Sequence, residues 1–395
     1  MAWRQSRFAP NIPFMRISLL AAIGATAVAL FAPPAAAGPV VAGGALGSVT
    51  TLPLAPPQPG SALRREAPGG PGESREIRAR ATAAFALVGV SWDDPRVTLA
   101  GSVEVRTRSA VTGEWSDWYR LSADAEDGPD PAERSSRGAT VPLWVGPSDG
   151  IAVRATAPDR PLPAGLRAEL VDPGTASGAG PGRPGERAES GAGHAAPRPG
   201  IVTRSGWGAD ESLRDPDFQY TGAVRAVFVH HTDTSNDYSC ADSAKVIRAI
   251  YQYHVKSNGW RDIGYNFLVD KCGTIYEGRA GGVDQPVLGA HTLGFNSNSS
   301  GVAALGSYGS AAVPQAQLDG ISKIAAWKLG LTGVDAKGTT TLVSASDSSR
   351  YPKGRTVTFN TISGHRDAFA TECPGDVLYG HLPGVRSTAA GLQGR

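Results

Sequence analysis

Two tracts rich in glycine, proline and alanine, 38–72 and 173–200, interrupt this chain, whose 395 residues are too many for one ordinary core and predict two domains plus tails. Such tracts hold too few large apolar side chains to offset the entropy of ordering them. They divide the chain into segments of different texture. From 77 to 172 the pattern is that of strands: Val103-Glu104-Val105-Arg106-Thr107-Arg108 alternates strictly between apolar and polar, as a half-buried strand does. Phe85 to Trp92 alternates in part, and Val141–Val145 and Ile151–Arg154 are apolar runs separated by the turn-like residues 146–150. Short strands between turn signals predict a small all-β sandwich. Its tryptophans, Trp92, Trp115, Trp118 and Trp144, are read as core rather than as sugar-stacking platforms.

From 201 to 390 the period changes. Ala223 to His231 reads as a buried strand, and Ser239 with Asp242 reads as a capping box. The helix that follows carries Val246, Ile247, Ile250, Tyr251 and His254 on one face, and Asn258-Gly259 ends it. Strands are expected at 263–269, 274–277, 302–307 and 361–364. A helix is expected to open with Pro314 at its first position and to run through Leu329. Strands alternating with helices predict an α/β domain, a mixed central sheet flanked by helices.

Ahead of both domains stand Arg4, Arg7 and Arg16, then an apolar run from Ile17 to Phe31, then Ala35-Ala36-Ala37. That is the order of an export signal, with cleavage after Ala37. The run is shorter than the roughly 20 residues of a spanning helix. The organisation expected is therefore a signal peptide at 1–37, a spacer at 38–76, the all-β domain at 77–172, a linker at 173–200 and the α/β domain at 201–390. The product is expected to be secreted to the cell wall, with no membrane span once the signal is cut. A formal net charge of +2 argues against a nucleic-acid surface, which would be strongly basic.

Export changes how the cysteines read, because thiols outside the cell pair. There are three, Cys240, Cys272 and Cys373, and an odd count leaves one over. A Cys240–Cys272 disulfide with Cys373 on a metal accounts for all three. Spacing alone does not fix connectivity, and three free or variably paired thiols remain the alternative. Six of the seven histidines lie between His230 and His381. His230, His365 and Cys373 each follow an apolar run. Two imidazoles and a thiolate leave one position of a tetrahedral zinc open, which separates a catalytic site from a structural one. These residues are far apart in sequence and must converge through the fold, so their spacing is by itself a weak signal.

The flanking residues carry more. Arg204-Ser205-Gly206-Trp207-Gly208-Ala209, Phe228-Val229-His230-His231-Thr232, Gly259 to Phe267, Tyr276-Glu277-Gly278-Arg279, Gly289-Ala290-His291-Thr292, Gly294-Phe295-Asn296, Gly364-His365-Arg366-Asp367 and Thr371-Glu372-Cys373-Pro374 occur in that order. The set resembles the peptidoglycan recognition protein family, which shares a fold with the phage-lysozyme type of N-acetylmuramoyl-L-alanine amidase. The resemblance covers about 201–390, and the arrangement looks like secreted actinobacterial members.

It implies Zn2+ held by His230, His365 and Cys373, with Tyr265 beside the metal and Thr371 where the phage enzyme has a lysine. The substrate implied is peptidoglycan, as muramyl peptide. The bond cut would be the amide between the lactyl group of muramic acid and L-Ala. His254, His291 and Asn296 match groove positions, and Arg279 offers a bidentate partner for a substrate carboxylate. Ala280-Gly281-Gly282 replaces the Gly-Trp that often follows this arginine. His231 neighbours His230 on a strand and so points to the other face, where it supports the site from behind or packs in the core. The alternative function is a module that binds muramyl peptides without cutting them. Members that only bind usually lack the cysteine, which is present here.

Overall fold

The computed structural model of the chain describes residues 47–59, 61, 72–123, 127–130, 133, 137–175 and 196–395. The expected signal peptide, 1–37, lies outside them, as does most of the linker.

The first domain is all β. Its strands are β1 (Ser48–Pro53), β2 (Glu73–Trp92), β3 (Ser102–Ser109), β4 (Tyr119–Leu121), β5 (Gly138–Ala139), β6 (Leu143–Ala157) and β7 (Arg167–Asp172). They run in the order β1-β7-β2-β6-β3-β4, with β5 paired to β2. Every pairing is antiparallel. The long strands β2 and β6 lose register at several points, and such bulges bend a strand and add twist. The curved sheet packs Val88, Val90, Trp92, Val103, Val105, Ile151, Val153 and Leu170 into one core.

Two sequence expectations change here. The spacer contributes β1, whose Val49 and Leu52 lie opposite Val171 and Ala168. Residues 146–150 are not a turn but part of β6, where Gly146 takes a positive φ of 70° and the ladder bulges instead of reversing. Trp92 and Trp144 are buried as expected, whereas Trp115 and Trp118 are only half-buried, both beside the Arg106 guanidinium. Trp118 lies under the guanidinium groups of Arg106 and Arg154.

The second domain contains β8 (Ile201–Val202), α1 (Arg204–Trp207), β9 (Ala226–His231), α2 (Ser243–Gln252), β10 (Phe267–Val269), β11 (Ile275–Glu277) and β12 (Ser299–Ala304). After these come α3 (Gln315–Gly330), β13 (Thr339–Val343), β14 (Thr356–Asn360), β15 (Ile362–Gly364) and α4 (Asp376–Leu392). The central sheet has the order β15-β9-β12-β10-β11-β8. It is mixed: β10 and β11 are antiparallel, and the other neighbours are parallel. Helices α3 and α4 cover one face through Ile321, Ile324, Ala325, Leu378, Leu382 and Val385. Helix α2 covers the other with Val246, Ile247 and Ile250.

Pro314 precedes the helix as its cap rather than opening it. Ser239 and Asp242 bond to each other, Oγ to Oδ2 at 2.6 Å, across a short 3₁₀ turn before α2. The strand expected at 302–307 sits three residues earlier, because Gly306 turns the chain with φ at 120°.

The two domains are not independent bodies joined by a linker. Ala86, Leu87, Trp144 and Val171 of the first domain share one buried cluster with Val246, Ile250, Tyr251 and Tyr253 of the second. Tyr253 donates its hydroxyl proton to the Thr140 carbonyl at 3.0 Å. Arg248 donates to the carbonyls of Pro173 and Trp207. Helix α2 is thus packed between the two sheets.

Cys240 and Cys272 form a disulfide across 32 residues. Closing a loop of that length in the unfolded chain is worth roughly 3–4 kcal/mol. We expect Cys272→Ser to lower unfolding stability by about that amount, read from denaturant midpoints with and without reductant. An unchanged midpoint would show that the bridge adds nothing.

Candidate metal centre and cleft

The parallel pairing of β15 with β9 sets Gly364 opposite Val229. His365, the next residue, therefore arrives beside His230 at the carboxyl ends of both strands, where open α/β sheets place their ligands. Along β9, Phe228 joins a small cluster with Phe295 and Phe359, whereas Val227 and Val229 face α3 and α4. Alternation puts His230 on the Phe228 side and His231 on the other. There the Nδ1 of His231 accepts from the Tyr308 backbone N–H at 3.2 Å, so it supports the strand and takes no part in the metal-facing group.

Cys373 closes the triangle. Its backbone N–H donates to Thr371 Oγ1 at 2.8 Å and its carbonyl accepts from the Arg366 N–H at 3.0 Å. The turn carrying the thiol is thereby tied back to the turn carrying His365. Gly375 then lets the chain pass Tyr308: a Cβ there would lie 2.3 Å from the Tyr308 backbone.

The ligand atoms of His230, His365 and Cys373 lie within 4.8 Å of one another, and all three residues are buried. Cys373 Sγ is 3.7 Å from His230 Nδ1. Tetrahedral zinc with bonds of 2.0–2.3 Å places its ligand atoms roughly 3.3–3.8 Å apart, so the donor set fits that ion in type, and the Cys373–His230 pair fits it in spacing. Burial pushes the His230 pKa down to about 3, helped by the charge of His231. At neutral pH the imidazole keeps the free lone pair that a metal ligand needs.

His291 is fully buried behind His230 rather than on an open groove. Its Nδ1 is 3.2 Å from His230 Nε2, and Thr292 Oγ1 is 3.3 Å from the same nitrogen. A ligand histidine held through its second nitrogen is fixed in tautomer and orientation. Asn296 Oδ1 accepts from the backbone N–H groups of His291 and Thr292, which places Asn296 in the same supporting layer.

His254 sits in a π-helical turn, Tyr253–Ser257, that continues α2. It is buried, accepts from the Gly264 N–H at 3.2 Å and lies 4.4 Å from the Trp260 ring. Burial, with the Arg279 charge, lowers its pKa to about 3. Tyr265 lies beside His230, ring centres 5.5 Å apart. The expected residues thus come together, Tyr265 against the metal-facing group and Thr371 in the turn that positions Cys373.

The sequence reading missed the residues of the first domain that enter this site. The connection between β4 and β5 brings Asp127 to the metal-facing group. Its Oδ1 is 3.1 Å from His230 Nδ1 and 3.5 Å from His365 Nδ1, and its Oδ2 accepts the Tyr265 hydroxyl proton. Burial raises the Asp127 pKa, opposed by the His365 charge and by the Tyr265 hydrogen bond. The Gly128 carbonyl accepts from Asn296 Nδ2 at 3.0 Å, and Asp130 Oδ1 accepts from the Gly294 N–H at 2.6 Å. Arg279, offered from sequence as a substrate partner, is buried against Glu133 in a two-point pair at 2.7 and 2.9 Å.

Beside this connection remains a cavity of about 160 Å³, lined by His254, Trp260, Tyr265, Asp127 and residues of the first domain. That is below the roughly 300–1,000 Å³ of an ordinary ligand pocket. The one sequence signal for these contacts is the acidic run Asp124, Glu126, Asp127, Asp130 and Glu133, which the all-β pattern concealed.

An N-acetylmuramoyl-L-alanine amidase family model matches residues 220–376. A second, described as Rv3811 N-terminal galactose-binding domain-like, matches 40–188. Peptidoglycan-recognition protein SC2 of Drosophila simulans is 31% identical over 184 residues, 46% of this chain and 84% of that protein. The human N-acetylmuramoyl-L-alanine amidase is 31% identical over 187 residues, 46% of this chain and 27% of that protein. The solved structure of Drosophila PGRP-LB is 27% identical, covering 46% of this chain and 91% of that one, with a TM-score of 0.36. The chain belongs to the peptidoglycan recognition protein and N-acetylmuramoyl-L-alanine amidase family.

Proposed function

We propose that the protein is a zinc-dependent N-acetylmuramoyl-L-alanine amidase, exported to act on peptidoglycan. The observation that carries this reading is the buried convergence of His230, His365 and Cys373 with Tyr265 alongside. Export is supported by the charged, apolar and alanine-rich order of residues 1–37 and by the disulfide, since such bridges persist in oxidising compartments. Among the described residues, no helix is long and apolar enough to cross a membrane.

Zinc bound by two imidazoles and a thiolate would keep a position for water, lower that water's pKa and polarise a carbonyl beside it. The remaining work falls to the chain. Tyr265 donates its hydroxyl proton to the carbonyl oxygen as charge builds there. His291 and Thr292 hold His230 in one orientation, so the donor set is formed before substrate arrives. Arg279, held by Glu133 in this structure, would give its two parallel N–H donors to a stem-peptide carboxylate once that partner leaves. Thr371 holds the cysteine turn through the Cys373 N–H.

The test is mass spectrometry of purified sacculi incubated with the zinc-loaded protein. The expected products are stem peptides with a free L-Ala amine and glycan with unsubstituted lactyl carboxyls, and a chelator should stop their release. Bound but uncut sacculi would favour the binding module, and cleavage at any other bond would overturn the amidase reading.

A further inference from the structure

The connection between β4 and β5 belongs to the first domain, yet its described residues contact the groups to which the second domain owes its chemistry. Asp127 meets His230, His365 and Tyr265. Gly128 meets Asn296, and Asp130 meets the backbone of Gly294. Glu133 pairs with Arg279 and accepts from the Arg261 N–H at 3.2 Å. The side chains of Glu133 and Arg279 are each 5% exposed, so this pair has been removed from water.

We propose that Asp127–Asp130 and Glu133 form an internal occupant of the amidase cleft, with Asp127 as fourth ligand of the zinc and Glu133 holding Arg279. Hydrolysis then requires this segment to withdraw. The proposal rests on the zinc amidase reading. Three arguments carry it.

The first is geometric. A carboxylate is an ordinary zinc ligand at about 2.0–2.2 Å, and neighbouring nitrogen and oxygen ligands of a tetrahedral ion stand roughly 3.3 Å apart. Asp127 Oδ1, at 3.1 and 3.5 Å from the two imidazole nitrogens, holds the place of the missing vertex. A carboxylate there displaces the water that hydrolysis consumes.

The second is competition. Tyr265 has one hydroxyl proton, and it is given to Asp127. The Arg279 fork that would bind a substrate carboxylate already holds one, in the bidentate form that such recognition uses. A stem peptide and Glu133 cannot occupy it together. The cavity left beside the segment is small, about 160 Å³.

The third is anchoring. The strands on either side of this segment, β4 and β5, are paired to β3 and β2, and their domain shares a buried core with α2. The occupant is therefore tethered to a domain packed against the site, which keeps its effective concentration there high.

The experiment uses the full chain with cobalt in place of zinc, and acetohydroxamate as a probe for an open coordination position. Parent protein should show a thiolate-to-cobalt band and visible bands that the probe does not move. Asp127→Ala should keep the thiolate band, and its visible bands should shift on adding the probe. With zinc restored, Asp127→Ala should release peptide from sacculi at least tenfold faster than the parent, and Glu133→Gln should raise release chiefly by lowering KM. Asp127→Asn, of equal volume, replaces Asp127→Ala if that variant fails to fold. Equal response to the probe and equal release in parent and variant would overturn the occupant while leaving the amidase standing. Absence of the thiolate band in both would overturn the metal reading, and the occupant with it.

Discussion

Replacing Cys373 with serine should leave a folded protein that neither retains zinc nor releases peptide from sacculi, a loss of at least about a thousandfold given what the metal contributes in such hydrolases. Serine differs from cysteine by one atom, and the backbone that carries it is held by Thr371 and Arg366, so the turn should persist. What changes is the donor. A thiolate binds zinc at about 2.3 Å and is ionised by it, whereas a serine hydroxyl is not among the ligands that hold this ion. Two buried imidazoles and the Asp127 carboxylate remain, a set without the thiolate's charge and softness, and we expect it to lose the metal through dialysis. Metal content, circular dichroism and peptide release on the same preparation check the expectation. A variant that keeps one zinc per chain and digests walls at the parent rate would remove Cys373 from the site. A variant that loses zinc and activity yet still sediments with sacculi would separate recognition from cleavage.

The site was legible in the sequence to the extent that His230 closes the apolar run Ala226–Val229 and His365 follows the short buried strand Ile362–Gly364. Buried strands end at a sheet's carboxyl edge, so His230 and His365, at the ends of β9 and β15, were brought to one edge by topology alone. The opposed orientation of His231 followed from the two-residue period of a strand. The mixed sheet and the helices on α/β spacing were likewise carried by local pattern. Contacts between the domains were not, because nothing local encodes them. Residues 38–76 looked like spacer since Pro53, Pro56 and Pro57 flank a strand that is stable only when paired with β7. His291 looked like a groove residue, but its burial behind His230 depends on the backbone of Gly301 and Gly289 passing close to its ring, within 2.4 Å of where a Cβ would stand. Asp127 and Glu133 lie in a connection of the all-β domain, and their partners stand over a hundred residues away. A single sequence records the acidic run and gives no account of what it meets.

Tyr265→Phe should cut kcat by roughly a hundred- to a thousandfold, the usual effect of removing one donor to a developing oxyanion, with one zinc still bound per chain. The measurement belongs in the Asp127→Ala background. In the parent, the Tyr265 proton is given to Asp127, so the phenylalanine would remove a catalytic donor and a bond of the occupant at once. These effects oppose each other in the observed rate. With Asp127 already alanine, the only change is the loss of a hydroxyl from a side chain 3% exposed, and its ring contact with His230 at 5.5 Å is kept. KM should stay within about twofold, because an interaction made only in the transition state lowers kcat and kcat/KM together. The four proteins of the cycle then give the coupling between Tyr265 and Asp127 directly, and residues in contact commonly couple by about 0.5–3 kcal/mol. Loss of zinc from Tyr265→Phe would make the tyrosine a support of the metal site rather than a donor to substrate. An unchanged kcat would place oxyanion stabilisation on the metal alone.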